Sequence, residues 1–285
     1  MKKNFKIGGI LLIVLVAAAV ALNYYLDEKA GKCGKGSGKE AIEACSFMIE
    51  KYPSGGMKPS FLYSRAKHYV KEENAAAAIA DLEAIVAIHE NGSSKIEGDF
   101  MKFVHNQLAS LHGFSGNLEK AVKYGEEAVK LDPGNPSLYI NLADYHFKKN
   151  LFREALPYLQ KAESLGAADS RLYLKYSAAY LGLRDHSMSY TYLKKTEAVM
   201  DLETKDKKTP PISPGKLYQS LALTCMELER FGEAEQYLIR IQEAGYECPA
   251  CPTLLEQAQQ MMQLEEVAGK PKPKTGKTRK KRPSY

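Results

Sequence analysis

Residues 118–131 read LEKAVKYGEEAVKL and residues 152–165 read FREALPYLQKAESL, and these two stretches decide the fold. Each contains two alanines that are seven residues apart, and the second pair lies 34 residues after the first: Ala121 and Ala128, then Ala155 and Ala162. A unit of this length that consists of two amphipathic helices cannot bury its apolar face alone, so it stacks on its neighbours. The spacing therefore predicts an all-α fold, an α-solenoid of stacked antiparallel helix hairpins.

The same plan of two helices and a turn extends along the chain on both sides of these stretches. Proline-rich breaks at residues 132–136 and in a predicted inserted loop at 201–214 separate the helices, because proline cannot continue a helix. A single helix is predicted at 39–51. The predicted hairpins are 60–71 with 75–89, 103–114 with 118–131, 138–149 with 152–165, 172–183 with 188–199, and 216–228 with 232–244. We therefore expect a repeat array at 39–252 and a polar capping helix at 253–267.

The repeats carry the pattern of a known family at its spacing. Residues 102–135 and 136–169 show this pattern most fully. The residues that carry it there are Leu108, Ala109, His112, Ala121, Ala128, Pro133, Tyr139, Leu142, Ala143, Ala155, Leu159 and Ala162. In these residues the chain resembles the tetratricopeptide repeat family, and the resemblance extends over residues 39–250. It implies a right-handed superhelix in which the first helix of each hairpin lines a concave groove.

Five positions depart from the family pattern. Arg65 and Tyr176 stand where leucine is usual, and Gly125 stands where a large residue is usual. Ser189 and Thr196 replace the two alanines of their repeat. Where the helices of a hairpin cross, alanine permits close approach and interleaved packing.

The resemblance also indicates where a partner would bind. In this family the groove commonly takes a segment of another protein, and its groove positions correspond here to Ile140, Asp144, Phe147, Arg171, Leu174, Leu181, Gln219, Leu223 and Met226. This largely apolar surface suits a helix or an extended peptide. In the alternative interpretation, the inserted loop or the terminal helix covers these residues. The Lys/Asn clamp for carboxylates is absent, since Asn106 and Ser110 stand at two of its positions.

Residues 1–26 form a targeting or anchoring segment with a basic start and an apolar middle. A cleaved signal peptide with a site at Ala19-Val20-Ala21 fits this pattern, and so does an uncleaved membrane-spanning helix over 7–26. The apolar run is long for a signal peptide, which favours the anchor. Tyr24 and Tyr25 are placed as interfacial residues of such a helix.

Residues 27–38 are rich in glycine and lysine and are predicted to be a linker. The very short N-terminal flank resembles an export signal. We therefore expect a membrane-anchored protein whose body lies outside the cytoplasm of a bacterium. If the segment is cleaved, the body would be periplasmic or secreted.

The five cysteines include a C-x-x-C motif, Cys248 to Cys251. The strand–helix context of a thioredoxin-like redox site and the further ligands of a zinc site are both missing. A structural disulfide is favoured if the body is exported, with Cys33 and Cys45 as a second candidate pair and Cys225 as a buried thiol. A thiol–disulfide role for Cys248 and Cys251 is the alternative function.

The basic charge of the chain is local. The tail at 268–285 holds eight basic residues and no acidic one, so that removing it changes the formal charge from +6 to −2. The near-neutral body does not predict nucleic-acid binding. For the tail, contact with an anionic lipid or polymer is the alternative to a disordered, solubilising end.

No catalytic pattern stands out in the sequence. The six histidines do not cluster, and no Ser/His/Asp set, phosphate-binding loop or carboxylate pair is present. His112 and His146 occupy the family's aromatic position, which indicates packing. We therefore expect no catalysis, no cofactor and no metal. The predicted function is a scaffold or adaptor that binds a protein or peptide partner.

Overall fold

The computed structural model describes residues 2–54, 56–205 and 213–268, with side chains from Ala18 onward in the first helix. Thirteen helices and no strand occur in these residues. In chain order they are α1 Lys2–Lys35, α2 Gly38–Lys51, α3 Lys58–Lys71, α4 Ala75–Glu90, α5 Gly98–Phe114, α6 Leu118–Leu131, α7 Pro136–Lys148, α8 Phe152–Ser164, α9 Ser170–Gly182, α10 His186–Lys205, α11 Pro214–Glu227, α12 Phe231–Glu243 and α13 Cys251–Val267. The predicted all-α fold is confirmed.

The helices divide into two compact units, residues 1–165 and residues 166–285. In the first unit α1 pairs with α2, α3 with α4, α5 with α6 and α7 with α8, and each hairpin packs against the next. In the second unit α9 pairs with α10 and α11 with α12, α10 contacts α11, and α13 packs on α12. Packing between neighbours is typical of a repeat array, in which each amphipathic helix buries its apolar stripe on the helices beside it.

A ring pair marks the same place in three hairpins. The pairs, with the distances between ring centroids, are His112 with Tyr124 (5.6 Å), His146 with Tyr158 (5.1 Å) and Tyr180 with Tyr192 (5.5 Å). Both members of the pair recur every 34 residues. The sequence period is therefore expressed as one stacked contact between the two helices of each hairpin.

Three histidines of these stacks, called the stacked histidines below, are His105, His112 and His146. His105 and His112 lie against the ring of Tyr124, with 9% and 5% of their surface exposed. Burial lowers the pKa of all three, because an imidazolium ion loses its hydration inside the protein. Their role is to pack as neutral rings.

An ion pair explains the unusual Arg65. Its guanidinium donates to both carboxylate oxygens of Asp81, at 2.9 and 2.7 Å, and to Ser46 Oγ at 2.9 Å. Asp81 is 5% exposed and stands at the repeat position that Tyr124 occupies in the next hairpin. A bidentate pair therefore joins α3 to α4 where a ring stack joins α5 to α6.

The close packing of α7 explains the unusual Gly125. Tyr145, on α7, is 6% exposed and lies over the α5–α6 hairpin. A Cβ atom on Gly113 would lie 2.6 Å from Cε1 of Tyr145, and one on Gly125 would lie 2.8 Å from Cδ2 of Leu142. The two glycines make room for α7, because real Cβ atoms do not approach other carbons so closely.

The other three departures are also satisfied by local contacts. Tyr176 stacks on the ring of Tyr192 with 4.4 Å between centroids. Ser189 shares a hydrogen bond of 3.0 Å with Ser177, and Thr196 donates from its hydroxyl to the carbonyl oxygen of Tyr192 at 2.9 Å. The hydroxyls that replace alanine are therefore buried without a lost hydrogen bond.

Helix α1 corrects the prediction of a linker at 27–38, because it continues to Lys35. Tertiary contacts hold this glycine-containing end in a helix: Lys32 pairs with Glu28 and Glu40 at 3.0 and 2.8 Å, and the end packs on α2. Packing of this kind outweighs a weak helix propensity. The end of α1 is thus the first-helix partner that α2 lacks in the sequence pattern.

The inserted loop predicted at 201–214 is shorter in the structure. Residues 201–205 continue α10, residues 206–212 lie outside the described residues, and α11 begins at Pro214. Apart from Ala268, the basic tail also lies outside the described part of the chain.

No helix in the described part of the chain is long and apolar enough to cross a membrane. The anchor predicted at 7–26 falls on helix α1, and its side chains at 7–17 lie outside the description.

Candidate functional site

An open depression lies between three helices of the second unit, and we call it the α9–α11 depression. Its volume is about 350 Å³, and its walls are α9 and α11 with α10 between them. The apolar residues that line it are Leu174, Ala178, Leu181, Leu193 and Leu223. Leu181 and Leu223 are 49% and 43% exposed, whereas Leu193 is 1% exposed. The depression therefore has a buried leucine in its lining and two half-exposed leucines.

The hydroxyl groups of the depression are occupied by bonds within the unit. Ser177 Oγ lies 3.0 Å from Ser189 Oγ. The hydroxyl of Ser220 donates to the carbonyl oxygen of Lys216 at 3.0 Å, and that of Thr224 donates to the carbonyl oxygen of Ser220 at 2.7 Å. Serine and threonine commonly bond in this way to the preceding helical turn. These walls consequently behave as apolar surface.

One end of the depression is polar. His186, the first residue of α10, and Glu227, the last residue of α11, both line it. Nε2 of His186 lies 4.0 Å from Oε2 of Glu227, which is longer than a hydrogen bond. Nδ1 of His186 is buried and has no hydrogen-bond partner among the described residues. The carboxylate of Glu227 is open to water, with 64% of the side chain exposed.

The residues predicted for the groove separate into groups in the structure. Leu174, Leu181 and Leu223 come together in the α9–α11 depression. Met226 packs instead against the buried cluster that contains Cys225, and Gln219 is half-buried on α11.

The remaining predicted groove residues lie elsewhere. Arg171 is exposed at the start of α9, where it pairs with Asp169 at 3.0 Å. Ile140, Asp144 and Phe147 are half-buried on α7 of the first unit.

Sequence reasoning missed the polar end of the depression. The groove positions of the family belong to first helices only, whereas His186 begins a second helix. Glu227 lies one helical turn after Leu223, just past the last groove position considered. The spacing of Leu223 and Glu227 is the signal that points to it, because residues four apart share a helix face.

The structure joins both candidate cysteine pairs as disulfides. Cys33 and Cys45 link α1 to α2 with 4.6 Å between Cα atoms, and Cys248 links to Cys251 at the start of α13 with 5.3 Å between them. Cys251 is 1% exposed and belongs to a core cluster of the second unit. Cys225 is a buried free thiol, and burial raises its pKa to about 12.

A second depression, of about 510 Å³, lies between α4, α5 and α6 of the first unit. Its lining mixes charges of both signs, and two of its charged side chains pair with each other: Glu127 with Lys130 at 2.7 Å. Because of these charged groups, the second depression offers less apolar surface than the one in the second unit.

Within the described ranges, no group of three or more His, Cys, Asp or Glu side chains is placed to hold a metal ion.

Comparison with known proteins agrees with this architecture. A family model described as "Tetratricopeptide repeat" matches residues 104–135 and 136–166. No curated protein matches the chain. Residues 104–166 are thus two tetratricopeptide repeats, at the place where the sequence pattern is clearest.

Several solved structures share the fold. A crystal structure of the MamA protein has a TM-score of 0.55 and 18% identity, and it covers 67% of this chain and 97% of that chain. MamA from Desulfovibrio magneticus RS-1 has a TM-score of 0.53 and 18% identity, with 72% and 98% covered. A tetratricopeptide repeat protein from Parabacteroides merdae has a TM-score of 0.52 and 13% identity, with 83% and 98% covered. At these identities the likeness establishes the fold alone.

Proposed function

We propose that this protein is a non-enzymatic scaffold that binds a segment of a partner protein in the α9–α11 depression. The convergence of Leu174, Leu181 and Leu223 carries the proposal: three leucines of two separate helices meet at one open concave surface. Binding of protein segments is typical of scaffolds with this fold, and concave apolar surfaces are typical of binding sites. The occupied hydroxyls favour an apolar side chain of the partner as the anchor.

The exposed surface sets the strength of such an anchor. Full burial of a leucine side chain contributes about 1.5–3 kcal/mol, so that covering two half-exposed leucines contributes about 1.5–3 kcal/mol in total. A volume of about 350 Å³ is near the lower limit for small-molecule pockets. The depression is therefore suited to one or two side chains of a segment, and further contacts outside it would supply the rest of the affinity.

Selection from random dodecamer peptides displayed on phage tests this proposal on the full chain. Wild-type protein is expected to enrich peptides with a leucine, isoleucine, methionine or phenylalanine anchor. Leu223→Asp is expected to weaken the selected peptides at least 10-fold, because a carboxylate would face an apolar side chain. Leu264→Asp is the matched control, since Leu264 is 61% exposed on α13 and does not line the depression.

Two outcomes would contradict the proposal. Peptides that bind wild type and Leu223→Asp equally would show that they use another surface. Failure to enrich any peptide that depends on Leu223 would have the same consequence. Circular dichroism of both variants shows that a loss of binding is not a loss of helix.

We also propose that residues 7–26 anchor the protein in a membrane and that the body lies outside the cytoplasm. The basic start and the apolar run of the sequence support the anchor. The two disulfides support an oxidising compartment, because such bonds are rare in the cytosol.

Thiol counting and extraction test this second proposal on protein expressed in a bacterium with its native start. After denaturation without reduction, we expect one reactive thiol, Cys225, and five after reduction. Carbonate washing is expected to leave the protein in the membrane fraction. Five reactive thiols before reduction would contradict the oxidising compartment. Release of the protein by carbonate would contradict the membrane anchor.

The Cys248–Cys251 bridge is assigned a structural role. Cys251 is packed in the core of the second unit, which hinders attack by another thiol, whereas catalytic cysteines are partly exposed. A reduction potential below that of the glutathione pool would agree with this role.

A further inference from the structure

The two ends of the α9–α11 depression differ, because only one of them is polar. The four hydroxyls that line the walls are already bonded within the unit. Among the charged and imidazole groups of the lining, only Glu227 and His186 remain, and both lie at the same end. A segment that places an apolar side chain between the leucines therefore meets one anionic group next to it.

Glu227 is able to accept a new partner. Its carboxylate approaches His186 only to 4.0 Å and makes no other ion pair or hydrogen bond within the described ranges. Among the described residues, no lysine or arginine lines the depression. A basic group of a partner would consequently find an open carboxylate, whereas an acidic group would be repelled.

We infer that the segment bound in the α9–α11 depression carries a lysine or arginine beside its apolar anchor, and that this basic side chain pairs with Glu227. The inference rests on the proposed function, because it concerns the same site. Leu223 and Glu227 are four residues apart on α11, which corresponds to about 6 Å along the helix axis. Matching this distance, the basic residue lies two positions from the anchor in an extended segment, or three to four in a helical one.

The test uses the random dodecamer library on the full-length wild type, Glu227→Gln and Glu227→Lys. Wild type is expected to enrich lysine or arginine two to four positions from the apolar anchor. Glu227→Gln is expected to remove this enrichment and to weaken a selected basic peptide about 2–5-fold at low salt, as for an exposed ion pair. Glu227→Lys is expected to enrich aspartate or glutamate at the same spacing.

Controls separate this inference from the proposal that it rests on. Glu243→Gln removes an exposed carboxylate of α12 that does not line the depression, and it is expected to select the same peptides as wild type. Leu223→Asp shows whether the selected peptides occupy the site at all.

The two failures are distinguishable. Equal frequencies of basic residues beside the anchor in wild type and Glu227→Gln would overturn the inference, while apolar enrichment that depends on Leu223 would leave the proposed function intact. Loss of the dependence on Leu223 would overturn both. Binding of the basic peptide that does not weaken as salt is raised would also overturn the ion pair.

Discussion

Replacing Gly113 with alanine should destabilise the protein, although alanine is the better helix former. Gly113 is the next-to-last residue of helix α5, where alanine gains less over glycine than the about 0.8–1.0 kcal/mol of a helix interior. The new Cβ atom would lie 2.6 Å from Cε1 of Tyr145 and 3.0 Å from Cδ1. The ring cannot move aside freely, because it is 6% exposed and packs in a core cluster with Ala109, Ala121 and Leu142.

The two opposing contributions decide the sign of the effect. Overpacking in a well-packed core costs about 1–3 kcal/mol, and the gain in helix propensity at the helix end returns less than about 1 kcal/mol. We expect a net destabilisation of about 1–2 kcal/mol for Gly113→Ala. Gly232→Ala is the matched control, because a Cβ atom there would lie 3.7 Å from Sδ of Met262, an ordinary contact. Gly232 is the second residue of α12, so that variant should be neutral or stabilised by up to about 0.5 kcal/mol.

Urea unfolding followed by circular dichroism measures both free energies of unfolding. A double-mutant cycle of Gly113→Ala with Tyr145→Leu then tests the cause, because removing the ring should remove most of the cost of the added methyl group. Equal stabilisation of Gly113→Ala and Gly232→Ala would refute the reasoning. An unchanged cost of Gly113→Ala in the Tyr145→Leu background would refute the assignment to this ring.

Three further results are expected. Burial lowers the pKa of the stacked histidines below the unfolded value near 6.5. Their contribution to the free energy of unfolding should therefore be fully present above that pH and should be lost as the pH falls below it. A midpoint of urea unfolding that is unchanged between pH 7.5 and 5 would contradict this. Asp81→Ala should lower the free energy of unfolding by about 2–4 kcal/mol, because Arg65 would stay partly buried without its carboxylate; a loss below about 0.5 kcal/mol would show that water replaces the carboxylate. Cys225, with its pKa raised to about 12, should resist iodoacetamide in the native protein and react in denaturant without reductant; rapid native labelling would contradict its burial.

The sequence predicts the helices well wherever the 34-residue period is intact. Helix α6 has the predicted bounds, and α8 ends within one residue of its predicted end. The period predicts these helices because small side chains must recur wherever hairpins stack. It does not predict the end of α1, where glycines at 31 and 34 favour a linker. Contacts with α2 hold that end, and such contacts have no periodic signature in the sequence.

The departures from the family pattern show a second limit of prediction. In the sequence, Gly125 lacks the large side chain that is usual at its repeat position. In the structure, it makes room for Leu142 of the next hairpin. Arg65 is a charge at an apolar position, but Asp81 lies opposite it. In each case the compensating residue is in another helix, 16 or 17 residues away. A position-by-position comparison with the family cannot identify such pairs.

The α9–α11 depression could also be predicted only in part from the sequence. Family positions identified Leu174, Leu181 and Leu223, because the groove belongs to first helices. What makes these leucines walls of a depression is the set of small side chains between them: Ala178 on α9, Ser189 on α10 and Ser220 on α11. Serine has a small side chain, which leaves the space of the depression open. Its hydroxyl group forms a hydrogen bond with the nearest carbonyl or hydroxyl group. The concave shape thus comes from residues that resemble ordinary packing substitutions in the sequence. Among the described residues that line the depression, Glu227 is the one anionic group that can select a partner.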